Sequence, residues 1–375
     1  MKRTVISILV LIFGISFCMA QNIRDAAEEQ RRREAQQRQV ADEYNRRATQ
    51  QPAVIQQATP QPTPTVQPTV TPQTTPQTTA VVEQQHTDLP FSTQTTSAGI
   101  VLRGGTLAYK LDWLQRSVES HNTYIVEVGA NESIAPRTLE YKGAINVTII
   151  LRGVGGNRIV RLSSHGRMFT VNANVTLILD NNITLMGHND NTGSMVYVDR
   201  GVFKMNNGST ITGNIRTDRN SGGGGVYVNN GTFEMTGGTI TGNIANSGGG
   251  VYMSNNTTFT MTGGTLSGNR SSEGGGVYVR GTFTMRSGSI IGNSAAQNGG
   301  GVFILWGGTF AKTGGTITGY NSDQVNGNAV RDGDGTIARS GHAVWYAHWQ
   351  TPRRKETTAG PNMNLNNGAP DNWDQ

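Results

Sequence analysis

Between Gly223 and Gly319 apolar residues fall at every second position in short runs, and each run is closed by Gly or Asn. Val226 and Val228 flank Tyr227, and Asn229-Asn230-Gly231 comes next. Phe233 and Met235 flank Glu234, and Gly237-Gly238 comes after them. Ile240 lies between Thr239 and Thr241, and Gly242-Asn243 closes the set. Period-two alternation predicts strands with one buried face, and no run is long enough for a helix. Gly and Asn accept the positive φ that tight corners need. The set then returns. Gly223-Gly224-Gly225-Val226-Tyr227 is repeated as Gly248-Gly249-Gly250-Val251-Tyr252, Gly274-Gly275-Gly276-Val277-Tyr278 and Gly299-Gly300-Gly301-Val302-Phe303, with the Val residues 25, 26 and 25 positions apart. A fixed period in this range marks a repeat architecture, and three short strands per unit describe an all-β parallel β-helix, a solenoid.

Overlaying the units aligns like with like. Val226, Val251, Val277 and Val302 form one column, and Phe203, Phe233, Phe259, Phe283 and Phe310 a second. Met205, Met235, Met261 and Met285 stand beside the Phe column, and Ile211, Ile240, Leu266, Ile290 and Ile317 form a third strand. Each coil can bury its apolar faces only against its neighbours, and each such side chain contributes about 1.5–3 kcal/mol. Degenerate coils precede the clear ones. Val147–Leu151 aligns with Val175–Leu179, and Leu177 and Leu179 align with Phe203 and Met205, so the β-helix is expected to start near Tyr124 and to hold about seven coils. Leu107, Leu111, Leu114 and Val118 share one helical face, which predicts a helix over Gly105–Ser120 that caps the solenoid. The last strand is Ala343–Tyr346. The tail from 351 to 375 is expected to fold back as a C-terminal cap, anchored by Leu365 or Trp373.

The pairing of Ile240-x-x-Asn243 with Gly248-Gly249-Gly250-Val251 resembles the FxxN and GGA[ILV] repeats of the polymorphic outer-membrane protein family of chlamydial type, and also Gly-rich repeat proteins of spirochaete surfaces. The resemblance implies a right-handed parallel β-helix, exposure at the cell surface and adhesion. Here Ile or Leu stands where that family has Phe, and no C-terminal translocator barrel is expected after the repeats.

Composition fits a thin solenoid rather than a thick globular core, with 49 Gly against 10 Phe, 5 Trp and 10 Tyr in 375 residues. Residues 1–20 have the layout of a secretory signal: Lys2-Arg3, an apolar run from Val5 to Phe17, then Cys18-Met19-Ala20. Two outcomes stay open, cleavage after Ala20 or lipidation at Cys18, the single Cys; Phe17 is large for a residue preceding a lipidated Cys. Either way the chain is expected to leave the cytoplasm for the periplasm, the cell surface or the medium, with no transmembrane segment in the mature protein. Residues 21–50 interleave Arg and Glu, as in Glu28-Glu29-Gln30-Arg31-Arg32-Arg33-Glu34, which describes a solvated, partly helical segment rather than a nucleic-acid contact. Residues 51–98 are rich in Pro, Thr and Gln and are expected to form a disordered stalk ahead of the β-helix at 99–350.

Few groups on the repeat could carry chemistry. Polysaccharide lyases and glycosidases of this fold class need carboxylates clustered on one outer face. The outward place of the second strand reads Lys204, Glu234, Thr260, Thr284, Ala311, while Asp180, Asp199 and Glu273 fall elsewhere, so no catalytic residue is assigned. No metal or cofactor is expected either: the Gly turns lack Asp, and the six His do not cluster, His342 and His348 being near in sequence but suiting no standard ligand spacing. Two ladders remain. Asn214, Asn243, Asn269 and Asn293 share a corner and should bond from coil to coil. Tyr197, Tyr227, Tyr252, Tyr278 and Phe303, with Phe169 and Trp345 as ends, form an aromatic column that points outward if the flanking Val residues point inward. It either stacks on itself under neighbouring turns or offers a strip for a glycan or a cell-surface protein. The function expected from these residues is non-catalytic binding by an exported monomer; the alternative is a polysaccharide-active enzyme.

Overall fold

The computed structural model describes residues 91–216, 218, 222–321, 323–331, 335–337 and 342–347, and the backbone of two short strands at 353–355 and 363–365. The readings of residues 1–90 and of Trp373 lie outside the described residues. The fold is a parallel β-solenoid. A nine-stranded sheet stacks one strand per coil, from Arg137–Leu139 through Val226–Asn229 to Val344–Ala347, and closes with Arg353–Lys355 laid antiparallel on the last. That makes about eight turns rather than seven. A 17-stranded sheet holds the other strands of each coil. In the middle coils two of these merge into single ten-residue strands, Thr258–Ser267 and Thr282–Ile291, with a bulge near Thr262. A small third sheet, Arg270–Glu273, Ser294–Asn298 and Ala329–Val330, lines one corner of the later coils.

The columns lie in register. Val226 pairs along Val251, Val277 and Val302. Phe203, Phe233, Phe259, Phe283 and Phe310 stack with ring centroids 5.2, 4.5, 4.6 and 5.1 Å apart, all fully buried. The Met column runs one coil further than its Met residues. Lys312 stands opposite Met285 and is buried, and that burial lowers its pKa.

The N-terminal end differs from the expectation. Strand β1 (Ser92–Thr96), inside the segment read as disordered stalk, pairs antiparallel with β2 (Gly99–Arg103). β2 pairs in parallel with β3 (Thr123–Val128), so the solenoid starts at Gly99, not near Tyr124. All five β1 side chains are exposed, which leaves no hydrophobic pattern to read; backbone pairing along an open sheet edge forms this strand. Helix α1 (Leu107–Ser117) is inserted between β2 and β3 and is shorter than Gly105–Ser120. Gly104 and Gly105 turn left-handed, and the extended Thr106 accepts the Tyr109 N–H, so the helix can begin only at Leu107. Val118 returns to extended backbone and ends it. Leu107, Leu111 and Leu114 are buried against the first coils, as a cap requires. Glu132, from the following coil, accepts the Leu107 N–H at 2.6 Å, a carboxylate placed at the positive end of the helix. At the other end Met363–Leu365 pairs antiparallel with Phe310–Lys312, with Leu365 opposite Phe310.

The polar corner is a ladder longer than its repeats. Asn191, Asn214, Asn243, Asn269, Asn293 and Asn328 are all fully buried. The amides of Asn243, Asn269 and Asn293 each donate to the Oδ1 of the next Asn, at 3.1, 2.9 and 2.9 Å. Each acceptor also takes the backbone N–H of the Asn before it. Buried amides are thus satisfied, which removes the cost of desolvating them. The Gly triplets beside this ladder serve two ends. Gly248 has φ +61°, and a Cβ on Gly250 would lie 2.7 Å from the Gly276 carbonyl oxygen, so the third Gly is needed for coils to approach.

Candidate functional site

The outer column of the nine-stranded sheet is set by the inward pointing of its Val neighbours, since successive side chains in a strand face opposite ways. By register it runs Thr138, Thr170, Tyr197, Tyr227, Tyr252, Tyr278, Phe303, Trp345. Phe169 is not its end. It pairs with Val196 on the inward column and is fully buried, because the alternation Phe169-Thr170-Val171 turns Thr170 outward.

The rings stack continuously. Centroids from Tyr197 to Tyr227, Tyr252, Tyr278 and Phe303 are 5.1, 4.7, 5.0 and 5.0 Å apart. Exposure is uneven. Tyr278 is 7% and Phe303 2% exposed, so these two rings are packing rather than surface, while Trp345 at the end of the column is half-buried. Tyr197, Tyr227 and Tyr252 remain half-buried. The corner before the Gly triplet runs alongside them, since a Cβ at Gly222 would stand 2.7 Å from the Tyr252 ring. Burial, with the neighbouring Tyr252 and Tyr197 hydroxyls adding to it, pushes the Tyr227 phenol up to about 12. Burial also raises Tyr278, helped by Glu273 and Tyr252.

Cations border the exposed half. The Arg167 guanidinium lies 3.4 Å from the Tyr197 ring centroid, a cation–π contact. Arg280 donates to the Tyr252 hydroxyl at 3.4 Å. Beyond Tyr197 the outer column changes from aromatic to Thr170 and Thr138. The smaller side chains leave an open hollow of about 300 Å³, also lined by Arg137, Arg167 and Thr192. Arg137 is held by Asp112 of α1 at 2.6 Å. Neither Arg stands out in the sequence. Reading Phe169 as inward would have placed Thr170 beside Tyr197 and brought the Arg residues into view.

The carboxylates weighed in the sequence, to none of which catalysis was assigned, make structural contacts. Glu234 pairs with Lys204 at 2.8 Å on adjacent strands, Asp180 accepts from Asn206, and Asp199 accepts from Asn229. The expectation that the His residues stay apart is overturned: His165, His188 and Asp190 meet on adjacent coils. His165 and Asp190 are 25 positions apart, one repeat step, a spacing that links them across coils although they are distant along the chain. Among the described residues no helix is long and apolar enough to cross a membrane. No protein-family model, curated protein or solved structure matches the chain.

Proposed function

We propose that this chain is an exported, non-catalytic binding solenoid that engages a glycan or a surface protein through the N-terminal half of its aromatic column. The observation that carries this reading is the change from half-buried Tyr252, Tyr227 and Tyr197 to the open Thr170–Thr138 hollow, with Arg167 and Arg137 at its border. Rings supply contact area at little entropic cost, a hollow receives one residue of a ligand, and guanidinium groups favour carboxylates. An extended acidic glycan fits this combination; an acidic strand of a partner protein is the second ligand of the same kind.

The test is binding of the exported protein to an array of neutral and uronic-acid-containing oligosaccharides. Wild type is expected to retain acidic members, and Tyr197→Ala and Arg167→Ala to lose most of that binding while β-content and melting temperature stay close to wild type. Equal binding by both folded variants would place the site elsewhere. Sustained release of shortened oligosaccharides from the same array would instead favour a polysaccharide-active enzyme. Cell fractionation with a tag after Gln375 tests the export half of the proposal.

A further inference from the structure

We propose that His165, His188 and Asp190 form a site for a divalent transition metal that prefers imidazole, with zinc as the type case, and that the ion clips two adjacent coils. Nε2 of His165 lies 3.2 Å from Oδ1 of Asp190, and Nδ1 of His188 lies 2.6 Å from the same oxygen. The three donor atoms all fall within 4.8 Å of one another. The imidazole rings meet edge to face, with centroids 5.0 Å apart and planes at 69°. Donors about 2.05 Å from a tetrahedral zinc are about 3.3 Å from each other. The His165–Asp190 distance already has this value, and the His188–Asp190 distance needs to open by less than an ångström. Two imidazoles and a carboxylate form a donor set that zinc, nickel and copper accept, while magnesium and calcium favour all-oxygen sites. His165 and Asp190 are exposed and His188 is partly so, which leaves room for water or a further ligand at the remaining positions.

The trio is more than a chance surface meeting because its backbone is held by the buried end of the Asn ladder. Oδ1 of Asn191 accepts the Gly166 N–H at 2.7 Å, and its amide donates to the Gly166 carbonyl at 2.8 Å. One buried side chain therefore locks the residue after His165 to the residue after Asp190. The same amide donates to Oδ1 of Asn214 at 2.9 Å, and that oxygen takes the His188 N–H at 3.4 Å. The His188 carbonyl accepts from Ile215 N–H at 2.9 Å. All three donors thus hang from positions held by hydrogen bonds to buried Asn side chains, which lowers the cost of gathering them around an ion. The trio adjoins the hollow, since His165 directly precedes Gly166 and Arg167 in its lining, but the assignment rests on the three donors alone and not on the binding role proposed for the aromatic column.

The experiment is zinc titration of the full-length exported chain carrying no histidine tag, followed by calorimetry and by thermal melting, with magnesium as the comparison. Saturable binding of one zinc per chain is expected, with a rise of a few degrees in melting temperature and no response to magnesium. His165→Ala and His188→Ala should each weaken binding at least about tenfold, since even supporting residues around metal ligands commonly change affinity by that much. His121→Asn, on a coil away from the trio, should bind as wild type. Cobalt loading of wild type should give the visible absorption of a low-coordinate histidine site, a readout that does not require any variant to fold. Absence of saturable zinc binding to wild type, or unchanged affinity in both His variants, would overturn the assignment.

Discussion

Phe259 shows how one residue type serves the repeat. Its ring lies between Phe233 and Phe283, 4.5 and 4.6 Å away and nearly parallel to both, with no exposure to solvent. Neighbouring coils are held by backbone bonds on either side, so the site cannot collapse to refill a void. Phe259→Ala is expected to cost about 3–5 kcal/mol in chemical denaturation; a loss within error of zero would mean that the ring does not carry the core. Corner residues behave differently. At the corner leading into the second strand the backbone is left-handed at Asn146, Asn174, Asn230 and Asn256, and Arg200 holds the same place with φ 63°. Left-handed backbone costs an ordinary residue about 1–2 kcal/mol, and Asn tolerates it. The exposed contact between Arg200 and Asp199, at 3.4 Å, offers little in return. Arg200→Asn should therefore stabilise the protein by roughly 1 kcal/mol, read as a higher denaturation midpoint at unchanged slope.

At the scale of the element, the aromatic column behaves as one stack with a wet and a dry half. Tyr227 and Tyr278 both hold their protons more tightly than free tyrosine. Spectrophotometric titration of the folded chain should show part of the phenolate signal arriving late, around pH 12 for Tyr227, and Tyr227→Phe should remove part of the late fraction. The same shift makes stability depend on pH. The unfolded chain releases the proton near pH 10 and the folded chain only near 12, so the contribution is full below pH 10 and is lost as pH rises through this window. Denaturation midpoints should fall between pH 10 and 12, and fall less in Tyr227→Phe. Helix α1 obeys the same local logic. Its start is decided by Gly104, Gly105 and Thr106, and its buried Leu face by the coil beneath it.

For the whole molecule, stability is a sum over coils and the interfaces between them. Removing residues 251–276 deletes one full period and joins Gly250 to Val277, which rebuilds Gly-Gly-Gly-Val-Tyr at the junction. That deletion should leave a cooperative β-protein by circular dichroism, with all columns realigned one step. Deleting only 251–263 should lower and broaden the transition strongly, because it removes the Val251–Met253 strand and the Phe259 and Met261 core positions of one coil and leaves the coils on either side without partners there. A half-period deletion that melted like wild type would contradict a solenoid in which each coil leans on the next.

The sequence alone determined the repeat and the consequences of its strict periodicity. The Val, Phe, Met and Ile columns, their registers and the Asn corner can all be read from Val226 to Ile317, because in a solenoid neighbours in space are residues one period apart. Legibility failed where period or side-chain pattern failed. β1 has five exposed polar side chains and is a strand only because β2 offers an unpaired edge. Phe169 falls in the wrong column when read from the sequence, because its coil lacks the Gly-Gly-Gly-Val-Tyr phrase that marks the phase. Which tyrosines meet solvent is not encoded by alternation: Tyr227 and Tyr252, beside the corner at Gly222, stay half-buried, whereas Tyr278 in the next coil is buried. The meeting of His165, His188 and Asp190 likewise required the third dimension. One repeat step brings their coils together, and the buried amide of Asn191 ties the backbone beside Asp190 to the backbone beside His165.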